Sequence, residues 1–139
     1  MRARPVLPIA LFAVLSVAGC GDVPPRLKEA PPLTASTACA VGGENVVGRP
    51  YRNPVATIVM NNDGGWCWMM SSESERGLAY GPYLKLIRPP QYGTVQIDVL
   101  ETQTRVAYRP NPGFTGTDGF ETRSMEVGFE VDYRVTVNR

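Results

Sequence analysis

Serine, glutamate, lysine and cysteine are the residues here whose spacing could support covalent or acid–base chemistry. Ser71, Ser72 and Ser74 are candidate nucleophiles. A serine hydroxyl needs a base beside it, most often His, and the 139-residue chain contains no His. Neither Lys28 nor Lys85 stands in a Ser–Lys motif. Glu73 and Glu75 would share one face of a strand, about 6.5 Å apart, where a glycosidase pair can be imagined. Their surroundings, Ser71 to Gly77, read as a solvated loop instead. Asn61-Asn62-Asp63-Gly64-Gly65 offers oxygen ligands with one carboxylate and without EF-hand spacing, so it reads as a hairpin turn. Cys39 and Cys67, with no His and no dense carboxylate cluster, cannot close a tetrahedral zinc site. The expectation is a protein that is not an enzyme and holds no metal or cofactor.

The elements around these residues begin with an N-terminal address. Arg2 and Arg4 precede a mostly apolar run from Ile9 to Ala18. About ten residues are too few for the ~20 that span a bilayer. A basic flank, a short apolar core and small residues describe a secretory signal. Val17-Ala18-Gly19-Cys20 resembles the lipobox of bacterial lipoproteins. That resemblance implies a signal peptide over residues 1–19, cleavage before Cys20, and acyl chains on its sulfur and new amino group. Several acyl chains anchor stably where one is marginal. The alternative is ordinary secretion with Cys20 free or in a disulfide. In lipoproteins an Asp directly after the cysteine retains the chain in the inner membrane. Here Gly21 holds that place and Asp22 follows, so the resemblance points to the outer membrane.

Residues 20–38 carry four prolines and few large apolar side chains, the composition of a disordered or polyproline-like tether. The alternative is that part of it packs on the domain as an edge strand. Residues 39–139 form the expected domain. With Cys20 modified, Cys39 and Cys67 remain as a pair, which reads as a disulfide in an exported protein, against two reduced thiols. With 14 Lys+Arg against 13 Asp+Glu, and a slightly acidic balance once Arg2 and Arg4 are removed, nothing points to nucleic acid.

The domain patterning is all-β. Val95, Ile97 and Val99 alternate with Thr94, Gln96 and Asp98; Val131, Tyr133, Val135 and Val137 alternate with Glu130, Asp132, Arg134 and Thr136. This period of two marks half-buried strands. Residues 104–108 repeat it, and 55–60, 66–70, 83–88 and 120–125 are weaker candidates. Arg88-Pro89-Pro90 and Asn111-Pro112-Gly113 supply turns. About seven strands argue for an antiparallel β-sandwich.

Pro89 to Val95, followed by Tyr108-Arg109-Pro110-Asn111-Pro112-Gly113-Phe114-Thr115-Gly116-Thr117-Asp118-Gly119-Phe120, resembles the bacterial Ig-like and cadherin-like repeats. Those repeats carry a P-x-x-G-x-V … Y-x-P-x-x-G-F-x-G-x-D-x-F pattern. The resemblance covers residues 84–137. It implies an Ig-like Greek-key sandwich used as a spacer, adhesion module or carbohydrate-proximal accessory. The residues suit such a loop: Gly113 and Gly116 permit positive φ, Phe114 can plug the sandwich end, and Asp118 can accept N–H bonds from its own loop. The chain departs from the family in holding one copy, a cysteine pair and the Trp66-Cys67-Trp68-Met69-Met70 segment.

In that segment Trp66, Trp68 and Met70 share one strand face, with Cys67 and Met69 on the other. If Cys67 faces the core, both tryptophans point outward as an apolar patch for a partner or a sugar ring; otherwise they are core. Tyr80, Tyr83 and Tyr92 could extend such a surface. Two functions follow as expectations. One is a non-enzymatic envelope lipoprotein, joined to the membrane through its anchor, whose domain binds an envelope protein or glycan or serves as a structural module. The other is a periplasmic inhibitor of a lysozyme-like or proteolytic enzyme, presenting the polar loop from Ser74 to Tyr80.

Overall fold

The computed structural model describes residues 25–44, 54–72, 83–101, 103–125, 128 and 130–139. The strands are β1 (Cys39–Glu44), β2 (Val55–Asn61), β3 (Cys67–Ser72), β4 (Leu84–Arg88), β5 (Gly93–Val99), β6 (Gln103–Pro110), β7 (Gly116–Ser124) and β8 (Glu130–Asn138). They form two sheets, β1-β2-β8-β7-β4 and β3-β6-β5. The chain is an all-β sandwich, as the alternating patterns require.

The seven expected strands are all present. The eighth, β1, was not foreseen: its Gly42-Gly43 pair interrupts any alternation of large apolar and polar side chains. One pair also departs from an antiparallel arrangement, because β2 runs parallel to β8, with Ile58 opposite Val135. The Asn61–Gly65 stretch is not a hairpin. It joins β2 to β3, which lie in different sheets and pair with different neighbours.

The core forms where inward residues of both sheets meet. Ile58, Met60, Phe120, Tyr133, Val135 and Val137 come from one sheet; Cys67, Val106 and Tyr108 come from the other. Removing such side chains from water stabilises the fold by about 1.5–3 kcal/mol each. The Phe120 ring stacks on Tyr133 at 4.3 Å. Cys39 and Cys67 form a disulfide that staples β1 to β3, one strand of each sheet.

The loops around Tyr92 and Phe114 close one end. Gly113 and Gly116 have φ of 78° and 129°. Phe114 packs against the core and stacks on Tyr92 at 4.6 Å. Asp118 does not serve chiefly its own loop. Its carboxylate accepts the N–H groups of Gln91 and Tyr92, the Tyr108 hydroxyl and the adjacent Gly119 N–H, and so ties β7 to the other sheet.

Candidate functional site

The alternation of β3, β5 and β6 puts one set of side chains in the core and the other on the outer face of the three-stranded sheet. Register places Trp68, Ala107 and Gln96 in one row of that face, and Met70, Arg105 and Asp98 in the next. Beyond the first row lie Trp66, just before β3, and the cross-strand pair Arg109 and Thr94. Cys67 is fully buried in the core, so the tryptophans point outward, as one of the two readings had it.

They do not form an open patch. Residues 25–38, expected as a free tether with edge packing as the alternative, cross this outer face as a strap. Leu27 forms a bridge beside Leu100, just past β5, and Ala35 forms one beside Trp66. The Leu27 N–H donates to Val99 O at one side; at the other, Ser36 N–H donates to Trp66 O and Trp66 N–H to Thr34 O. Pro31 and Pro32 have no N–H to donate, so this stretch forms no continuous ladder; the bridges at its two ends and the Arg105 bond to Pro31 O hold it across the face. Ala107 is fully buried and Trp66 is 9% exposed. Trp68 is half-buried.

Two arginines stand over the two indoles. The Arg105 guanidinium lies 5.9 Å from the Trp68 ring centre, and that of Arg109 lies 4.6 Å from Trp66. Arg105 is buried and neutralised: its Nε and Nη2 donate to Asp98 Oδ2 at 2.9 and 2.7 Å, and Nη2 also donates to Pro31 O at 2.6 Å. A buried pair of this kind is tolerated because its remaining polar groups are matched. Arg109 is exposed. Among the described residues, no carboxylate lies within ion-pair distance of it. Beside it the surface opens into a depression of about 450 Å³, lined by Asn62, Thr94, Pro110, Asn111 and Pro112 among others.

The strap is pinned by Asp63. Its carboxylate accepts the Thr37 N–H and hydroxyl at 2.6 and 2.7 Å, the Gly65 N–H at 3.0 Å and the Ser36 hydroxyl at 3.3 Å. These bonds, those from Thr37 foremost, hold the carboxyl far below the usual range. For Asp118, burial pushes the other way, but its four hydrogen bonds outweigh it and the carboxyl is also lowered. Burial, and then Asp118 itself, raise the Tyr108 phenol. These displaced groups bond to backbone amides and hydroxyls that join structural elements.

Tyr83 does not join the tryptophans. It precedes β4, and its ring and hydroxyl engage Arg26, near the opposite end of the strap from Ala35. Cys20, Tyr80 and the loop from Ser74 to Tyr80 lie outside the described residues. Sequence reasoning missed Arg105, Arg109 and Asp63. The available signal was the Arg105-x-Ala107-x-Arg109 alternation opposite Asp98, Gln96 and Thr94. Among the described residues, no group of three or more His, Cys, Asp or Glu could hold a metal ion, and no helix is long and apolar enough to cross a membrane. Comparison with protein-family models and with curated protein sequences gives no match.

Proposed function

We propose that this chain is a non-enzymatic envelope lipoprotein, fastened by acyl chains on Cys20, whose Ig-like domain binds another envelope component. The observation that carries the binding part is the strapped outer face. It buries Trp66 and leaves Arg109 beside an open depression, with no carboxylate partner among the described residues. The Ig-like assignment is supported by strand order: β3-β6-β5 corresponds to B-E-D, β4-β7-β8 corresponds to C-F-G, and β2 lies along the last strand. The anchor rests on the lipobox resemblance. Pro25 is five residues beyond Cys20, so the chain between them reaches at most about 18 Å, and the strap would hold the sandwich close to the lipid surface.

Mass spectrometry of the native N-terminal peptide is expected to find an acylated Cys20, and Cys20→Ser to release the protein from membranes. An unmodified Cys20 overturns the anchor. Photocrosslinkers at Thr94, Val59 and Thr136 in cells are expected to capture an envelope protein or glycan. No capture at any of the three overturns the binding role.

A further inference from the structure

Each outer-face tryptophan has an arginine over its ring, but the two arginines are satisfied differently: Arg105 is buried, 5.9 Å from the Trp68 ring centre, and bonded to Pro31 O, whereas Arg109 is exposed and 4.6 Å from that of Trp66. At the Arg105 level, the neighbouring position on β5 is Asp98, and the guanidinium is bonded to that carboxylate and buried. At the Arg109 level, the corresponding position on β5 is Thr94. There the guanidinium lies over Trp66, no carboxylate among the described residues is within ion-pair distance, and the surface opens into the depression. Trp66 is itself fixed by two backbone bonds to the strap, and its ring gives the exposed guanidinium a platform to lie on while the donor fork stays open to an anion.

We propose that this depression is a subsite for a carboxylate-bearing sugar, with the ligand carboxylate on Arg109 where Asp98 sits on Arg105. The proposal rests on the binding-module reading and names its ligand class. A guanidinium presents a donor fork suited to a carboxylate. Thr94 and Asn111, both exposed, line the depression with Arg109, beside the exposed Pro112 and the buried Pro110. Hydroxyl and amide groups beside proline rings, in an open trough, suit a polyhydroxylated ring.

The test uses the full-length protein in detergent and a pair of sugars that differ by a carboxylate-bearing ether, N-acetylmuramic acid and N-acetylglucosamine. The acidic sugar is expected to shift the NMR signals of the Arg109 Nε–H and the Trp66 indole N–H, while the neutral sugar leaves them in place. Arg109→Gln removes the response. Thr94→Asp supplies a carboxylate from within the sheet and is expected to weaken binding at least tenfold while preserving the β-sheet circular dichroism. That second variant keeps the test valid if Arg109→Gln disturbs the strap. Equal responses to both sugars, no response to the acidic one, or undiminished binding by a folded Thr94→Asp protein each overturn the proposal. So does a short peptide with a free C-terminus binding at Arg109 more tightly than the acidic sugar. Cellular crosslinks from Val59 or Thr136 with none from Thr94 would overturn this subsite and leave the binding-module reading standing.

Discussion

At the residue scale, Asp118 shows both the reach and the limit of reading a sequence. Its place after Gly113-Phe114-x-Gly116 marks it as a loop acceptor, and it is one. Two of its N–H donors, however, belong to Gln91 and Tyr92, far away in the chain, and no local pattern encodes that. Alternation put Cys67 and Met69 on one strand face and both tryptophans on the other, but left open which face is inward; the buried Cys67 settles it. The burial of Trp66 does not follow from alternation, because its cover comes from residues 34–36. Asp118→Ala should cost about 1–3 kcal/mol at neutral pH, since the Tyr108 hydroxyl loses its acceptor. The carboxyl is lowered in the folded state, so its contribution is complete above the ordinary carboxylate pKa of about 4. It fades as pH falls through the folded value. Urea midpoints of wild type and variant should therefore differ at pH 7 and converge in strong acid. A gap that stayed constant with pH would assign the loss to packing alone.

At the element scale, strands with clean alternation were legible and the unusual elements were not. β1 lacks alternation, the parallel β2–β8 pair joins segments far apart in sequence, and the strap's prolines describe a chain that avoids ladders without saying where it lies. The strap depends on a close backbone approach. A Cβ at Gly65 would stand 2.4 Å from the Ser36 nitrogen and 2.5 Å from its Cα, and backbone atoms cannot yield as a flexible side chain can. Gly65→Ala should displace residues 34–37 at a cost of about 1–3 kcal/mol. Tryptophan emission should shift to the red, and amide exchange at Ser36 should quicken while Val135 stays protected. Unchanged exchange at Ser36 would show that the Asn61–Gly65 connection moves and the strap does not. The disulfide ties β1 to β3, just past the same connection in the chain. Its sequence separation of 28 corresponds to roughly 3–4 kcal/mol in the chain-entropy account. The Cys39→Ala, Cys67→Ala double variant should lose about that much in a denaturant titration.

At the scale of the whole molecule, two sheets and a strap are joined by a few ties of different chemistry: the disulfide, Asp118, the buried Asp98–Arg105 pair and Asp63. The Asp63 tie sets how the assembly meets acid. Its carboxyl is held far below the usual range by the Thr37 N–H and hydroxyl. A lowered folded pKa stabilises above the unfolded value and is lost only as pH falls through the folded one. The strap should therefore stay seated at neutral pH and in mild acid, and loosen only in strong acid. Asp63→Asn removes the charge at every pH, so the variant should show at pH 7 the faster Ser36 and Thr37 exchange that wild type reaches only near acid unfolding. Exchange measured from pH 7 to 3 separates the cases. Wild-type strap release already between pH 7 and 5 would mean another group governs it, and would deprive Asp63 of its role as the tie between strap and sandwich.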